Sequence, residues 1–492
     1  MLAHHYLEAL RLGRAAGEPE APELVERART AARDAGDRAL GLSAFPAAAR
    51  FYGAALELWP PDDAERPALL LAYGRSRVDD HELDVRVLED ARDGLLAGGD
   101  VEAAAEAETR VGDIWMNRGE RDEALEHLEH ARGLVEARGA SAEKAFVLQE
   151  LSRILMMAED FERAIEFGTQ SLRLAEELGL DSARARNLNT LGVARIVTGD
   201  AGGMRDLEEA MAIAAAANSH EEAAALANFT WMTVLLGDVR RAGELHEDIR
   251  RLADRIGLES YISWQRAEHV FHCHWEGRWD EAVATADEFI REAEAGAGHY
   301  MATACHYIRG SIELARGDAD AAVADGTRAL ELARAAKDPQ SLHPALAFAA
   351  RAMLAAGNAA GAGSVCDELL ASWRGMGVRA PHEVVDGAWA LSDLGRGQEL
   401  IDAVEGTDAR FPWHEAACLI AAGDFGSAAE VYAEIGSVPD GAYARLRAAD
   451  DLMQRGRRAE ADTQLRLALP VFAALGASAW QVEAQALLAA SA

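Results

Sequence analysis

The chain has 492 residues, a formal charge of −34, and 50% hydrophobic but only 6% aromatic residues. Nucleic-acid phosphates and anionic membranes need clustered cations, and Lys144 and Lys337 are the only lysines, so neither surface is expected as a partner. The scarcity of aromatics and of Gly/Pro-rich stretches favours helices making many small contacts over a β-sandwich or barrel.

In chain order, residues 1–100 read as divergent helical hairpins. PELVERARTAARDAGDRAL is one helix, FYGAALELW ends a second at Trp59, and a Pro-rich break follows. Residues 101–376 carry a regular array. A turn glycine followed by alanine five positions later recurs as Gly119/Ala124, Gly237/Ala242, Gly277/Ala282, Gly317/Ala322 and Gly357/Ala362, and again as Gly423/Ala428 and Gly456/Ala461. Glu159/Ala164 and Gly199/Met204 fill the same slots with one substitution each. A period near forty signals stacked units that bury their apolar faces only against neighbours. Within a unit, apolar residues return every three or four positions on either side of the turn, giving two antiparallel helices. Gly179 and Gly257 sit where a second helix should close. Residues 377–476 read as shorter, irregular repeats, and 477–492 as a capping helix. The fold class is therefore all-α, an α-solenoid.

Seven positions before each turn lie Gly112, Ser152, Gly192, Thr230, Val270, Gly310 and Ala350, all small or β-branched, as a close approach of two helix backbones requires. Leu151-Ser152, Leu191-Gly192 and Val111-Gly112, with the turn Gly and later Ala, resemble the signature positions of the tetratricopeptide repeat. The period departs from that family's usual 34. The resemblance implies a right-handed superhelix of antiparallel hairpins. The opening segments LAHHYLEALRLGRAAG, ERARTAARDAGDRAL and FYGAALELWPPDDAERPALLLAYGRS further resemble the helical region of actinobacterial signalling ATPases, both cyclase-like proteins and LuxR-type regulators. No Gly-x-x-x-x-Gly-Lys-Ser/Thr loop is present, and the C-terminal sequence is Ala-rich rather than a basic helix-turn-helix. What transfers is the scaffold, without ATPase, cyclase or DNA-binding activity.

The resemblance implies that first helices line a concave groove through positions 13, 10, 6, 3 and 2 before the turn glycine. These positions give Arg186, Asn189, Trp231, Trp264, Phe271, His274, Trp275, Tyr307 and Ser311, with Gln149 and Arg153 from the preceding unit. Aromatics flanked by a few polar groups suit a protein, a peptide or a small effector. Arginine adds a bidentate fork for carboxylates. The expected function is a non-catalytic sensor or scaffold within a bacterial signalling assembly, needing no cofactor.

The stretch AEHVFHCHWEGRWDEA offers a second reading. His269, His272 and Cys273 share a helix face at i, i+3 and i+4, and Cys305 and His306 follow in the next unit. These residue types ligate zinc, which would make the chain a metal-dependent enzyme on a helical scaffold. The repeat phase opposes this, because His269 and His272 occupy slots filled by Leu151 and Ile154 one period multiple earlier. A third reading is self-assembly through the solenoid ends. His127 and His130 fall on a second helix and are expected at the outer surface. The four cysteines lack any Cys-x-x-Cys spacing and read as small core residues. MLAHHYLEALRLGR lacks a signal-peptide order, and no run of roughly 20 apolar residues spans a bilayer, so a cytoplasmic protein is expected.

Overall fold

In the computed structural model the punctuation of the repeats has a direct physical basis. The turn residue adopts the left-handed conformation at Gly199, Gly237, Gly277, Gly317, Gly357, Gly395, Gly423 and Gly456, with φ between 70° and 93°. Glu159 does the same at φ 66° without being glycine. The residue after it returns its N–H to the helix just ended, as Asp160 to the Leu155 carbonyl (2.9 Å) and Asn358 to the Met353 carbonyl (2.8 Å). Where that residue is Asp or Asn its side chain then caps the next helix: Asp160 accepts from the Arg163 N–H, Asp238 from that of Arg241, and Asn358 from that of Gly361, whereas Arg278, Arg396 and Arg457 make no such cap. One dipeptide thus ends one helix and starts the next. The alanine four residues beyond that cap is fully buried at 124, 164, 242, 282, 322, 362, 428 and 461.

The structure describes residues 2–491 except 18, 20, 43, 78–82, 119, 217–220, 257–258, 296–298, 300, 337, 379–380 and 408; for 117, 253–256, 259–261, 375–376 and 491 it describes the backbone alone. Gly119, Gly257 and Lys337 lie outside the described residues. Among those described, every regular element is helical, and no helix is long and apolar enough to cross a membrane.

The chain divides into two compact units, Met1–Leu191 and Gly192–Ala492. The first holds α1 (Leu2–Ala15), α2 (Pro22–Leu40), α3 (Phe45–Leu58), α4 (Arg66–Arg75), α5 (Arg86–Gly98), α6 (Val101–Asn117), α7 (Arg121–Val135), α8 (Ala142–Met157) and α9 (Phe161–Leu178). The division falls within α10 (Asp181–Val197). Successive helices pair antiparallel over several small apolar clusters. Buried hydroxyls join neighbours: Ser152 donates to the Ala164 carbonyl and Ser171 to the Ala145 carbonyl, each at 2.6 Å, while Asn187 donates to Ser171 (2.9 Å).

The second unit continues with α11 (Gly203–Ala216), α12 (Glu221–Leu235), α13 (Val239–Ile256), α14 (Glu259–Glu276), α15 (Trp279–Glu294), α16 (Ala302–Arg316), α17 (Ala319–Ala336), α18 (Pro339–Ala355) and α19 (Ala359–Met376). Its last part is α20 (Pro381–Asp393), α21 (Gly397–Glu405), α22 (Pro412–Ala421), α23 (Phe425–Ile435), α24 (Val438–Gln454), α25 (Arg458–Leu475) and α26 (Ser478–Ser491). One apolar cluster runs through it from Val234 to Ala484. The reason is that the C-terminal helices return onto the earlier repeats. Pro412 packs at the Gly237 turn and Leu475 at the Gly277 turn, and Ser478 donates to the Arg316 carbonyl (2.7 Å) beside the Gly317 turn.

The slot seven residues before the turn is small because one of the following two helices presses on it. A Cβ on Gly310 would lie 2.6 Å from Phe348, and one on Gly192 would lie 2.8 Å from the Gly203 carbonyl oxygen. In the 199 unit the close contact is made by Gly203, one position earlier than Met204.

Candidate functional site

The residues expected on the groove separate into two groups. In the second unit, Trp231, Phe271, His274, Trp275, Tyr307 and Ser311 gather on α12, α14 and α16, but their face is covered. Trp275 is 1% exposed, its ring stacked on His382 (centroids 4.7 Å, 10° between planes) and 5.7 Å from Trp413. Phe271 and Tyr307 also meet His382, at 4.8 and 5.6 Å. The Trp413 indole N–H donates to the Val234 carbonyl at 2.8 Å. Trp264 alone among the aromatics is substantially exposed, and its indole donates to Glu268, whose carboxyl burial pushes up to about 7.

Beside this aromatic layer, Ser311 and His274 border a cavity of about 20 Å³ with Arg351, Asp386, Asp440 and Trp480. That is room for about one water molecule. Arg351 donates to Asp386 at 2.6 Å, and burial raises the carboxyls of both Asp386 and Asp440, the latter to about 6. Burial likewise holds the His274 imidazole down to about 3, and the His382 ring lower than its usual range, so both are neutral near pH 7.

Arg351, His382, Trp413 and Asp440 were not anticipated from sequence. Arg351 had a signal: it lies six residues before Gly357, the slot that holds Trp231, Phe271 and Ser311 in earlier units. The others come from the irregular stretch, where no period assigns a face.

In the first unit, Gln149, Arg153, Arg186 and Asn189 lie on an ionic ladder that crosses successive first helices. Arg75 on α4 pairs with Glu106 on α6, which also accepts from Arg110. Arg153 on α8 bridges Asp113 on α6 (2.6 Å) and Glu150 (2.7 Å). Arg186 on α10 reaches Glu150 at 3.5 Å, and Gln149 donates to the same carboxylate at 2.6 Å. Asn189 is half-buried one turn beyond Arg186. The carboxylates are sealed, Glu106 at 7% and Glu150 at 5% side-chain exposure. The arginine side chains are partly open, with Arg75 at 39%, Arg153 at 32% and Arg186 at 35%. Burial works against the charged Glu150, but Arg153 and Arg186 outweigh it and hold its carboxyl below the usual range. Burial and the Glu150 charge push Asp113 up to about 7, which removes part of its negative charge near neutrality. The ladder therefore presents positive charge outward on an acidic protein.

The His/Cys residues also separate. His269 Nε2 lies 3.3 Å from the Cys273 sulfur and 2.8 Å from Glu281 Oε1, and these three could hold a metal ion. Cys305 and His306 are not part of that group; His306 Nδ1 contacts Asp325 at 2.7 Å, and Arg309 shares the same carboxylate. His272 packs against His246 (ring centroids 4.5 Å). His127 and His130 both contact Oε1 of the buried Glu108, at 2.9 and 2.7 Å, opposite Arg92 on Oε2. They are thus tied inward to the neighbouring first helix, although His130 keeps more than half of its side chain exposed.

No protein-family model and no curated protein sequence matches the chain. Solved structures do. A Rap protein complexed with competence and sporulation factor matches with a TM-score of 0.53 at 15% identity, over 70% of this chain and 96% of that one. The apo form of the quorum sensor NprR from B. thuringiensis gives 0.48 at 13% identity, over 69% and 97%. A signal transduction ATPase with a tetratricopeptide repeat sensor from Pyrococcus horikoshii gives 0.46 at 13%, over 71% and 52%. The fold is a tetratricopeptide-like array of antiparallel helical hairpins.

Proposed function

We propose that the chain is a non-catalytic regulatory scaffold that binds a carboxylate-bearing peptide segment along the first-helix ladder of unit 1. The observation that carries this reading is the alternation of partly open arginine side chains with sealed carboxylates across α4, α6, α8 and α10. Arg153 and Arg186 offer planar donor forks already oriented by Glu150, so little side-chain entropy is lost when a peptide carboxylate docks. Gln149, 2% exposed, donates to Glu150 from beneath and holds that carboxylate under the two arginines. The fold likeness adds support, since the matched Rap protein is complexed with a factor. In unit 2 the corresponding face is filled by the chain's own α20 and α22 side chains, with Trp480 of α26 bordering the same small cavity as Ser311, which favours unit 1 as the receiving surface.

Selection of a random peptide library on the purified full chain, followed by fluorescence anisotropy, tests the reading. Selected peptides should carry a carboxylate, and Arg153→Met with Arg186→Met should weaken them more than tenfold, consistent with about 1.4 kcal/mol or more for charged hydrogen bonds. Peptides that bind the double variant as tightly as the parent, or a library that yields no binder, would refute it.

A further inference from the structure

We infer that His269, Cys273 and Glu281, completed by His246, form a zinc site that clamps α13, α14 and α15 together. His269 and Cys273 stand one turn apart on α14, so their donor atoms fall on one side of the helix. Glu281 enters from the first turn of α15 and His246 from α13. The donor atoms of His269, Cys273 and Glu281 all lie within 4.8 Å of one another. Glu281 divides its two oxygens: Oε1 faces His269, and Oε2 accepts from Arg278 at 2.6 Å, which fixes the carboxylate plane. Arg278 is itself held by Glu276. An outer partner of this kind is what orients a metal ligand.

A packing role alone leaves the histidines poorly explained. His246 is 1% exposed, and neither of its ring nitrogens has a hydrogen-bond partner among the described residues. Its ring lies 5.4 Å from that of His269 and 4.5 Å from that of His272. Nδ1 of His269 and of His272 is buried and equally unpaired. A set of imidazole nitrogens, one thiolate and one carboxylate suits four-coordinate zinc and not the all-oxygen shells of calcium or magnesium. On binding, the Cys273 thiol loses its proton to solvent and its sulfur bonds the ion, so one proton leaves for each metal taken up. With four protein donors the site is closed to substrate. It is a structural clamp, distinct from the ladder of unit 1 and independent of it.

Cobalt(II) serves as the spectroscopic probe, titrated into the full chain after chelator treatment in thiol-free buffer. One equivalent should give a thiolate-to-cobalt charge-transfer band together with the intense visible bands of four-coordinate cobalt, and zinc should displace it. Cys273→Ser should abolish the charge-transfer band. Glu281→Gln, at a half-exposed position that leaves folding intact by circular dichroism, should weaken binding at least about tenfold, and so should His246→Phe. Absence of the charge-transfer band, its survival in Cys273→Ser, or unchanged affinity in Glu281→Gln would overturn the site.

Discussion

The indole N–H of Trp413 donates to the carbonyl oxygen of Val234, 179 residues earlier in the chain, across 2.8 Å. Both groups are buried, and the bond fastens α22 to the end of α12 at the Gly237 turn. A repeat array does not require such a contact, because each unit packs only on its neighbours. Here the C-terminal helices instead close the second unit over its own aromatic face. Trp413→Phe keeps the ring and removes one of the two bonds to the Val234 carbonyl, which still accepts from the Gly237 N–H, so it should cost about 1 kcal/mol, whereas Trp413→Ala should cost about 3–5 kcal/mol. Urea unfolding monitored by circular dichroism measures both. An alanine variant as stable as the parent would mean that the closure contributes nothing.

The turn at Glu159 carries a defined strain. It is the one non-glycine residue with positive φ among those described, in a slot that glycine fills elsewhere. A left-handed L-residue costs roughly 1–2 kcal/mol, part of which glycine returns as unfolded-state entropy. Glu159→Gly should therefore raise stability by about 0.5–1 kcal/mol, and a lower melting temperature would contradict the assignment.

Helix glycines should divide by what stands above them. A Cβ on Gly310 would meet Phe348 at 2.6 Å, so Gly310→Val should destabilise by about 1–3 kcal/mol. Gly133 lies inside α7 with nothing within 4 Å of an added Cβ, so Gly133→Ala should stabilise by about 0.5–1 kcal/mol. Thermal melts of the two variants should move in opposite directions.

Buried imidazoles give the second unit a signed pH dependence. Burial holds His274 down to about 3, with the Arg351 charge adding to it, whereas the unfolded chain takes up this proton near 6.5. The unfolded state binds more protons below that point, so the contribution is complete above pH 6.5 and is lost as pH falls towards 3. Between pH 7 and pH 5 the loss amounts to about 2 kcal/mol for this residue. Asp440, raised by burial to about 6, works in the opposite sense: its contribution is present below about pH 4 and is lost as pH rises towards 6. A difference measurement separates the two. Between pH 7.5 and 5.0, His274→Phe should lose about 2 kcal/mol less than the parent in urea titrations; equal losses would show that His274 titrates normally.

Much of the architecture was legible because it is written in short, local terms. The turn glycine, the cap that follows it and the buried alanine all act within six residues, so their spacing survives as a period. Even Glu159 could be placed by phase alone. The closure of unit 2 was not legible, since Trp413 and His382 arise in a stretch without a period and meet α12 and α14 only through long-range packing. Phase therefore identified the common face of Phe271, Trp275 and Tyr307 but not what lies on it. The same limit applies to the proposed zinc site: His269 and Cys273 are neighbours on one helix, whereas Glu281 and His246 lie on separate helices at no recognisable spacing. The ladder of unit 1 was half legible, through Gln149, Arg153, Arg186 and Asn189. Its sealed partners Glu106 and Glu150 are two among 83 acids and carry no mark of their burial.

Hydrogen–deuterium exchange of the full chain, with and without a library-selected peptide, tests most directly where a partner docks. Binding on the ladder should slow exchange in α6, α8 and residues 181–191 while leaving α20 and α22 unchanged. Protection confined to α14, α20 and α22, or faster exchange there as the closure opens, would place the peptide in the second unit and contradict the account.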